Sequence, residues 1–394
     1  MNKRDFLKLS SAAIAASLIH LPVKGSSLKA GKSFLDKQPI TRTLGKTGIK
    51  LPIVGSGIIP VDNPALLRAI FKSEIKYIDS AWEYLNGRVD IVLGRMLTEF
   101  GRENFIISTK ILFDTDKETG QYKKDATTQV FLKRLDESLK RQNTDYVDIL
   151  YLHAPPSKAA ALNEEMLNGL RKAKEQGKAR FIGLSTHSNQ TELIDAALES
   201  KLYDVVLTGY NFKQDNIVKS AIAKASAAGL GVIAMKVFAG NYEDTNLAKP
   251  INKKAALKWV LNDENIHTTI ITIKNFEDLE LCKQMMTDIE MNDQEVKDLQ
   301  ASYQTPGLYC LGCEACKPQC PQKLPITDLM RAYMYTYGYK DVSKARVLLD
   351  RLSINEKPCE NCSTCVVKCT KGFDVADRIN DISRLKNIPA EFLA

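Results

Sequence analysis

KYIDS (76–80), FIISTK (105–110), YVDILYLH (146–153), ARFIGLS (179–185), DVVLTGY (204–210), LGVIAMK (230–236) and HTTIITI (267–273) recur along the middle of the chain as short apolar runs bounded by turn residues. Each has the length and the β-branched and aromatic content of a strand. IVGSGI (53–58) supplies an eighth. Amphipathic stretches lie between them, one over 125–141 with Val130, Leu132, Leu135 and Leu139 on or near one face. Others fall near 164–176, 191–198, 216–228, 252–261 and 275–286. Repeated strand–helix units demand a parallel sheet with right-handed crossovers. Eight units in about 250 residues suit a closed (β/α)8 TIM barrel, an α/β fold, better than an open doubly wound sheet. Ahead of them TRTLGKTGIKLPIVG (41–55) reads as a hairpin turning near Gly45 and Gly48. No G-x-G-x-x-G opens a helix after the first strand, so the usual dinucleotide fingerprint is absent.

A barrel of this size leaves much of the 394-residue chain over on both sides. The chain opens MNKRDFLKLSSAAIAASLIHLPVKG, a charged start followed by an apolar stretch from Ala12 to Val23. That stretch is shorter than the ~20 residues a membrane span needs, and it suits the apolar part of an export signal. The string KRDFLK resembles a twin-arginine signal with Lys3 in place of the first arginine, which implies an exported, periplasmic protein carried folded around a cofactor. The alternative is a loose N-terminal helix on a cytoplasmic protein. Hydrophobic residues make up 44% of the chain and the net charge is +8. Lys3, Arg4, Lys8 and Lys24 against Asp5 supply part of that charge. No basic stripe is interleaved with aromatics, so nucleic-acid binding is not expected.

The cysteines are placed very unevenly: none precedes Cys282, and the other eight lie between Cys310 and Cys369. Cys310, Cys313, Cys316 and Cys320 form C-x2-C-x2-C-x3-C followed by Pro321. Cys359, Cys362, Cys365 and Cys369 repeat the spacing, with Thr370 in place of the proline. This is the bacterial ferredoxin pattern for two 4Fe–4S clusters, in which the fourth cysteine of each run serves the other cluster. The expected sets are Cys310, Cys313, Cys316 and Cys369 for one, and Cys359, Cys362, Cys365 and Cys320 for the other. Zinc sites more often use two C-x2-C pairs, and disulfides would not require a doubled spacing. Cys282 falls on an expected helix outside both runs and reads as a buried or free thiol. Residues 325–352 between the runs read as one or two helices.

Barrel enzymes place their chemistry at the C-terminal ends of strands. Asp79, Lys110 and His153 stand at the ends of the second, third and fourth runs, and Tyr84 follows the second. The strings LGKTGIKLPIVGSG, YIDSAWEY, IISTK, YLHAP, ARFIGLS and GYN, in this order from Ile40 to Thr305, resemble the aldo/keto reductase family. The resemblance implies the tetrad Asp79, Tyr84, Lys110 and His153: Tyr84 the proton donor, Lys110 the charge that eases proton release, Asp79 its partner, and His153 a hydrogen-bond donor to the substrate oxygen. It also implies NADP(H) or NAD(H), with Ser185 on the nicotinamide amide, Tyr210 stacked on the ring, and Lys274 and Asn275 at the adenosine phosphate. The sequence departs from the family at Leu85, usually Gly, and at Thr186 and Leu207, usually Asn and Gln.

The expected layout is an export signal over 1–25, a linker over 26–39, a reductase barrel over 40–305 and a ferredoxin-like two-cluster domain over 306–394. The expected activity interconverts a small-molecule carbonyl and its alcohol, with the clusters linking to a redox partner protein. The competing expectation is an electron-transfer or scaffold protein whose barrel no longer turns over.

Overall fold

The computed structural model describes residues 38–57, 62–116, 121–239, 250–304, 309–352, 354–362, 364–389 and 392. The expected signal and most of the expected linker lie outside the described residues. Chain contacts divide Met1–Gln38 from Pro39–Ala394, and the barrel and the cysteine-rich tail both belong to the second unit.

The second unit begins with an antiparallel hairpin, β1 (Thr41–Thr43) and β2 (Lys50–Pro52), as the Gly45 and Gly48 spacing predicts. Eight parallel strands follow: β3 (Val54–Gly57), β4 (Tyr77–Asp79), β5 (Ile106–Leu112), β6 (Val147–His153), β7 (Ala179–Thr186), β8 (Val205–Gly209), β9 (Gly231–Met235) and β10 (Thr268–Thr272). They close in sequence order, with β10 pairing back onto β3. All eight coincide with the apolar runs read from the sequence.

Helices α1 (Pro64–Lys72), α2 (Arg88–Phe100), α3 (Thr128–Gln142), α4 (Lys158–Ala161), α5 (Glu164–Glu175), α6 (Gln190–Ser200), α7 (Asn216–Ala227), α8 (Lys253–Leu261), α9 (Phe276–Met285) and α10 (Asp293–Gln304) belong to the barrel half of the chain. Several begin at side-chain caps: Thr127 accepts from the Val130 amide, Asn252 from Ala255 and Asn275 from Asp278. Each such oxygen satisfies an amide that the first turn leaves unbonded. That is why α8 and α9 start one residue later than periodicity suggests.

Two apolar layers hold the barrel. One lies between sheet and helices and includes Phe71, Leu93, Phe131, Leu135 and Leu170. The other fills the inside of the barrel at its N-terminal end, where Leu44 and Leu51 of the hairpin meet Tyr77, Tyr151 and Leu207. The hairpin therefore plugs one end, and only the C-terminal end of the strands remains for a site.

The tail carries α11 (Ile326–Tyr337), α12 (Val342–Leu352) and α13 (Val375–Ser383), and no strand is found among its described residues. The two helices expected between the cysteine runs are α11 and α12. The tail has an apolar core of its own, built on Leu329, Met330, Leu348, Leu349, Val375 and Ile379. Among the described residues no helix is long and apolar enough to cross a membrane.

Candidate active site and thiol centres

The site is assembled at the ends of β4, β5, β6 and β7. Parallel pairing sets Asp79 beside Ser108 and His153 beside Ser185. The Lys110 ammonium pairs with the Asp79 carboxylate and also donates to the Ser80 carbonyl at 2.7 Å. The second Asp79 oxygen accepts from Ser108 Oγ at 2.6 Å. Both charged side chains are only 2% exposed. A buried ion pair survives only when its remaining hydrogen-bonding capacity is met, and here Ser80 and Ser108 meet it.

Tyr84 follows β4 on a tight turn. Its ring lies 5.1 Å from Lys110 Nζ and meets the His153 ring edge-on at 6.0 Å between centroids. The four tetrad residues are thus brought together. Leu85 and Asn86 take φ values of 45° and 54°, and Gly87 continues at 84°. The Gly-to-Leu departure therefore falls on left-handed backbone, which a side chain makes less favourable. The Leu85 side chain points to solvent, 41% exposed.

The electrostatics of Tyr84 differ from the expectation. Burial, with Asp79, Glu83 and Tyr335, holds the Tyr84 phenol well above its ordinary value, against the pull of Arg331. Tyr84 is a firmly protonated phenol rather than one poised to ionise.

Glu83 escaped the sequence reading. Its Oε1 stands 2.6 Å from His153 Nδ1. Burial pulls the Glu83 carboxyl up, but His153 and Lys110 prevail and its pKa is lowered. Burial lowers the His153 imidazole, and Glu83 restores part of the loss. With the Nδ1 proton on the side of the Glu83 carboxylate, the far nitrogen of the ring would donate to a substrate only as the imidazolium. Glu83 favours that form. The signal was present as a carboxylate next to the tyrosine in YIDSAWEY, but adjacency in sequence did not say which way it would turn.

The expected nicotinamide contacts are not all available. Ser185 Oγ is buried and has no hydrogen-bond partner among the described residues, so it fits a polar ligand group. Tyr210 does not fit its expected role. It is fully buried, its hydroxyl donates to Asp263 at 2.7 Å and its ring lies 5.2 Å from Trp259. The residue after β8 has turned outward onto α8, leaving no open face for stacking. Thr186 bonds to the Ser188 backbone, and Leu207 packs inside the barrel. Asn275 uses its side-chain oxygen to cap α9, and Lys274 donates to the Tyr339 carbonyl of the tail at 3.0 Å.

The tail lies across the mouth of the barrel. The Asn189 amide donates to the Gly312 carbonyl at 2.8 Å, Gln190 Nε2 to the Leu311 carbonyl at 3.3 Å, and Lys371 pairs with Asp215 at 2.6 Å. Gly312 has φ 79°, and a Cβ there would stand 2.7 Å from the His187 carbonyl oxygen. Only glycine permits that approach. Lys344 of α12 reaches within 5.8 Å of the Tyr84 ring. The His187 ring stands 5.8 Å from the His153 ring. Beyond it, His187, Lys236, Cys310 and Arg331 line a small cavity. Burial, together with Arg331, pushes the Lys236 ammonium down to about 7.

The eight tail thiols fall into two groups. Cys310, Cys316, Cys313 and Cys369 lie within electrostatic reach of one another, and Cys313 Sγ is 3.7 Å from the hydroxyl of Thr370. Cys359, Cys362, Cys365 and Cys320 form the other group. These four line a cavity of about 200 Å³ whose walls include Leu324, Ile326, Val367 and Ile379. Gln319 bonds to both the amide and the carbonyl of Lys368, tying the first run to the second. Among the described residues no three His, Cys, Asp or Glu side chains converge tightly enough to hold a single metal ion. All nine cysteines are free thiols, and Cys282 is fully buried on α9.

A closed parallel barrel with a buried lysine–aspartate pair, a tyrosine and a histidine at its strand ends defines a barrel oxidoreductase. The sequence profile of the Aldo/keto reductase family matches residues 54–254, and the chain belongs to that family. Over 317 residues it is 26% identical to the L-glyceraldehyde 3-phosphate reductase of Escherichia coli O157:H7, covering 66% of this chain and 90% of that protein. It is 32% identical to the L-galactose dehydrogenase of Arabidopsis thaliana over 161 residues, 36% of this chain and 47% of the other. The holo aldo-keto reductase of Bacillus halodurans superposes with a TM-score of 0.56 at 17% identity, over 67% of this chain and 96% of its own. An aldo/keto reductase of Klebsiella pneumoniae, solved with NADP and acetate, gives 0.54 at 19% identity, over 67% and 96%. These similarities establish the barrel as an oxidoreductase of this family.

Glu83→Gln removes the anion that raises the His153 pKa. If the imidazolium is the working form, kcat/KM falls as pH rises through the His153 pKa. The variant should move that limb to lower pH, at a cost of about tenfold at neutral pH for each unit of displacement. An unchanged pH profile would take His153 protonation out of the reaction.

Proposed function

We propose that the chain reduces a carbonyl to an alcohol, or runs the reverse reaction, with a nicotinamide as hydride source and two four-iron clusters on the tail. The observation that carries the reductase reading is the convergence of Tyr84 and His153 over the buried Asp79–Lys110 pair. Hydride addition leaves negative charge on the carbonyl oxygen. The Tyr84 phenol donates its proton to that oxygen, and His153, when protonated, stabilises it through a hydrogen bond. Lys110, fixed by Asp79, keeps a positive field beneath the Tyr84 ring as charge develops. NADP(H) supplies a hydride at carbon when bound, with Ser185 the remaining candidate for its amide.

The cluster reading is supported by the thiol grouping. Fourth cysteines Cys320 and Cys369 each sit with the other run, as two-cluster spacing requires. Zinc would draw four sulfurs to within about 2.3 Å of one point. The second group shares with apolar side chains the lining of a cavity several times the ~30 Å³ share of a water molecule. Four-iron clusters pass single electrons, so a redox partner protein exchanging electrons with the tail completes this reading. Export through the N-terminal segment also belongs to it, since the twin-arginine-like string suits a protein folded around clusters before transport.

Tyr84→Phe should lower turnover by about 10²–10⁴, the usual range for losing a general acid, while nucleotide affinity stays unchanged. Near-normal carbonyl reduction would remove Tyr84 from the mechanism and favour the inactive-barrel reading. Anaerobically prepared protein should hold two four-iron clusters. Cys320→Ser should damage the cluster of the second run, and Cys282→Ser should leave iron content unchanged. Stoichiometric zinc without acid-labile sulfide would overturn the assignment. Arg4→Lys should retain the protein inside the cell, whereas efficient export of an unfolded reporter fused to residues 1–25 would exclude the twin-arginine route.

A further inference from the structure

Where the tail meets the barrel, the basic side chains Lys236 and Arg331 gather around one carboxylate, Asp328. Lys236 follows β9 with φ 57°, and its ammonium has neither a hydrogen bond nor an ion pair among the described residues. Arg331 comes from α11. Its side chain is 10% exposed, and one terminal nitrogen pairs with Asp328 at 2.7 Å while Nε has no partner. His187 Nδ1 is likewise buried and unpartnered. All three side chains line the same cavity, which measures about 10 Å³. That is the room of one water or one oxygen atom. Buried cations and donors left open in this way cost free energy unless an anion meets them.

We propose that His187, Lys236 and Arg331 form an anion subsite, shared by barrel and tail, that takes one oxygen of a carboxylate or phosphate carried by the substrate. The subsite rests on the carbonyl-reduction reading and names the substrate class: a small carbonyl compound bearing an anionic group a few atoms from the carbonyl. The spacing supports this. The His187 ring is 5.8 Å from the His153 ring, which is 6.0 Å from the Tyr84 ring, so a short molecule spans from the proton donor to His187 on the wall of the cavity. One of the three groups comes from the tail, so anionic substrates need the tail docked. A phosphate of the nucleotide offers the same chemistry from another source, and the test separates the two.

The experiment uses the full chain, loaded with iron and prepared anaerobically. Oxalate, inorganic phosphate and NADPH are titrated separately by calorimetry. Oxalate or phosphate should bind, Lys236→Gln should weaken that binding by roughly tenfold or more, and Lys236→Arg should restore much of it. Arg331→Lys, which keeps the charge and the fold of α11, should weaken it less than Lys236→Gln does. In turnover, glyoxylate should lose far more kcat/KM than propanal in Lys236→Gln. Failure of both anions to bind the unmodified protein overturns the subsite. Loss of NADPH affinity alone assigns the cations to the nucleotide and overturns the substrate role. A shift only in the midpoint potential of the bound iron assigns them to the first thiol group and likewise overturns that role. If no carbonyl is turned over while oxalate binding still depends on Lys236, the reductase reading fails and the anion subsite stands.

Discussion

The buried pair between Lys110 and Asp79 constrains everything at the mouth of the barrel. Two charges at 2% exposure need each other, and deleting either partner of such a pair typically costs about 3–5 kcal/mol. The pair can form only if β4 and β5 are in register, and Asp79 faces Ser108 there. Its hydrogen bonds to Ser80 and Ser108 then fix the end of β4, from which the Glu83–Tyr84 turn departs. Barrel closure, the ion pair and the position of the proton donor are therefore one cooperative unit.

A second constraint is the tail. The loop after β7 carries His187, and it is pinned by Gly312 and Leu311 through Asn189 and Gln190. The tail also engages Lys274, Asp215 and the neighbourhood of Tyr84. These residues belong to several strand-end loops, so the tail acts as a lid on the barrel rather than as an appended carrier. This explains why positions that the family resemblance assigns to a nucleotide are engaged elsewhere. Lys274 holds a tail carbonyl, and the loop that would flank a nicotinamide amide holds the first cysteine run.

Most of the barrel was legible in the sequence because its signals are local. Parallel strands buried on both faces read as continuous apolar runs, and the helices between them read through amphipathic spacing, as over 125–141, while the caps at Asn252 and Asn275 set starts that spacing alone placed one residue early. The two thiol groups were legible because each rests on a spacing repeated within a short stretch of chain, 310–320 and 359–369. Glu83, Arg331 and Lys236 were not, since their meaning depends on contacts between distant segments. Tyr210 shows the same limit in reverse. GYN marks the end of a strand, but whether its tyrosine faces the mouth or the outer helices is decided by Asp263 and Trp259, more than 45 residues away.

On the reading proposed above, the two halves of the chain would carry different electron counts. A hydride moves two electrons at once, whereas a four-iron cluster passes one. Cys310 lines the same cavity as His187 and Lys236, one ring contact from His153. Cys310 of the first thiol group thus borders the catalytic site, while the second group lies among Ile326, Val367 and Ile379. Were both groups to hold clusters as proposed, one centre would face the barrel and the other would serve a partner, which suits stepwise electron exchange. The cations at that border would serve both purposes, since a positive field that holds a substrate anion also stabilises added electrons beside it.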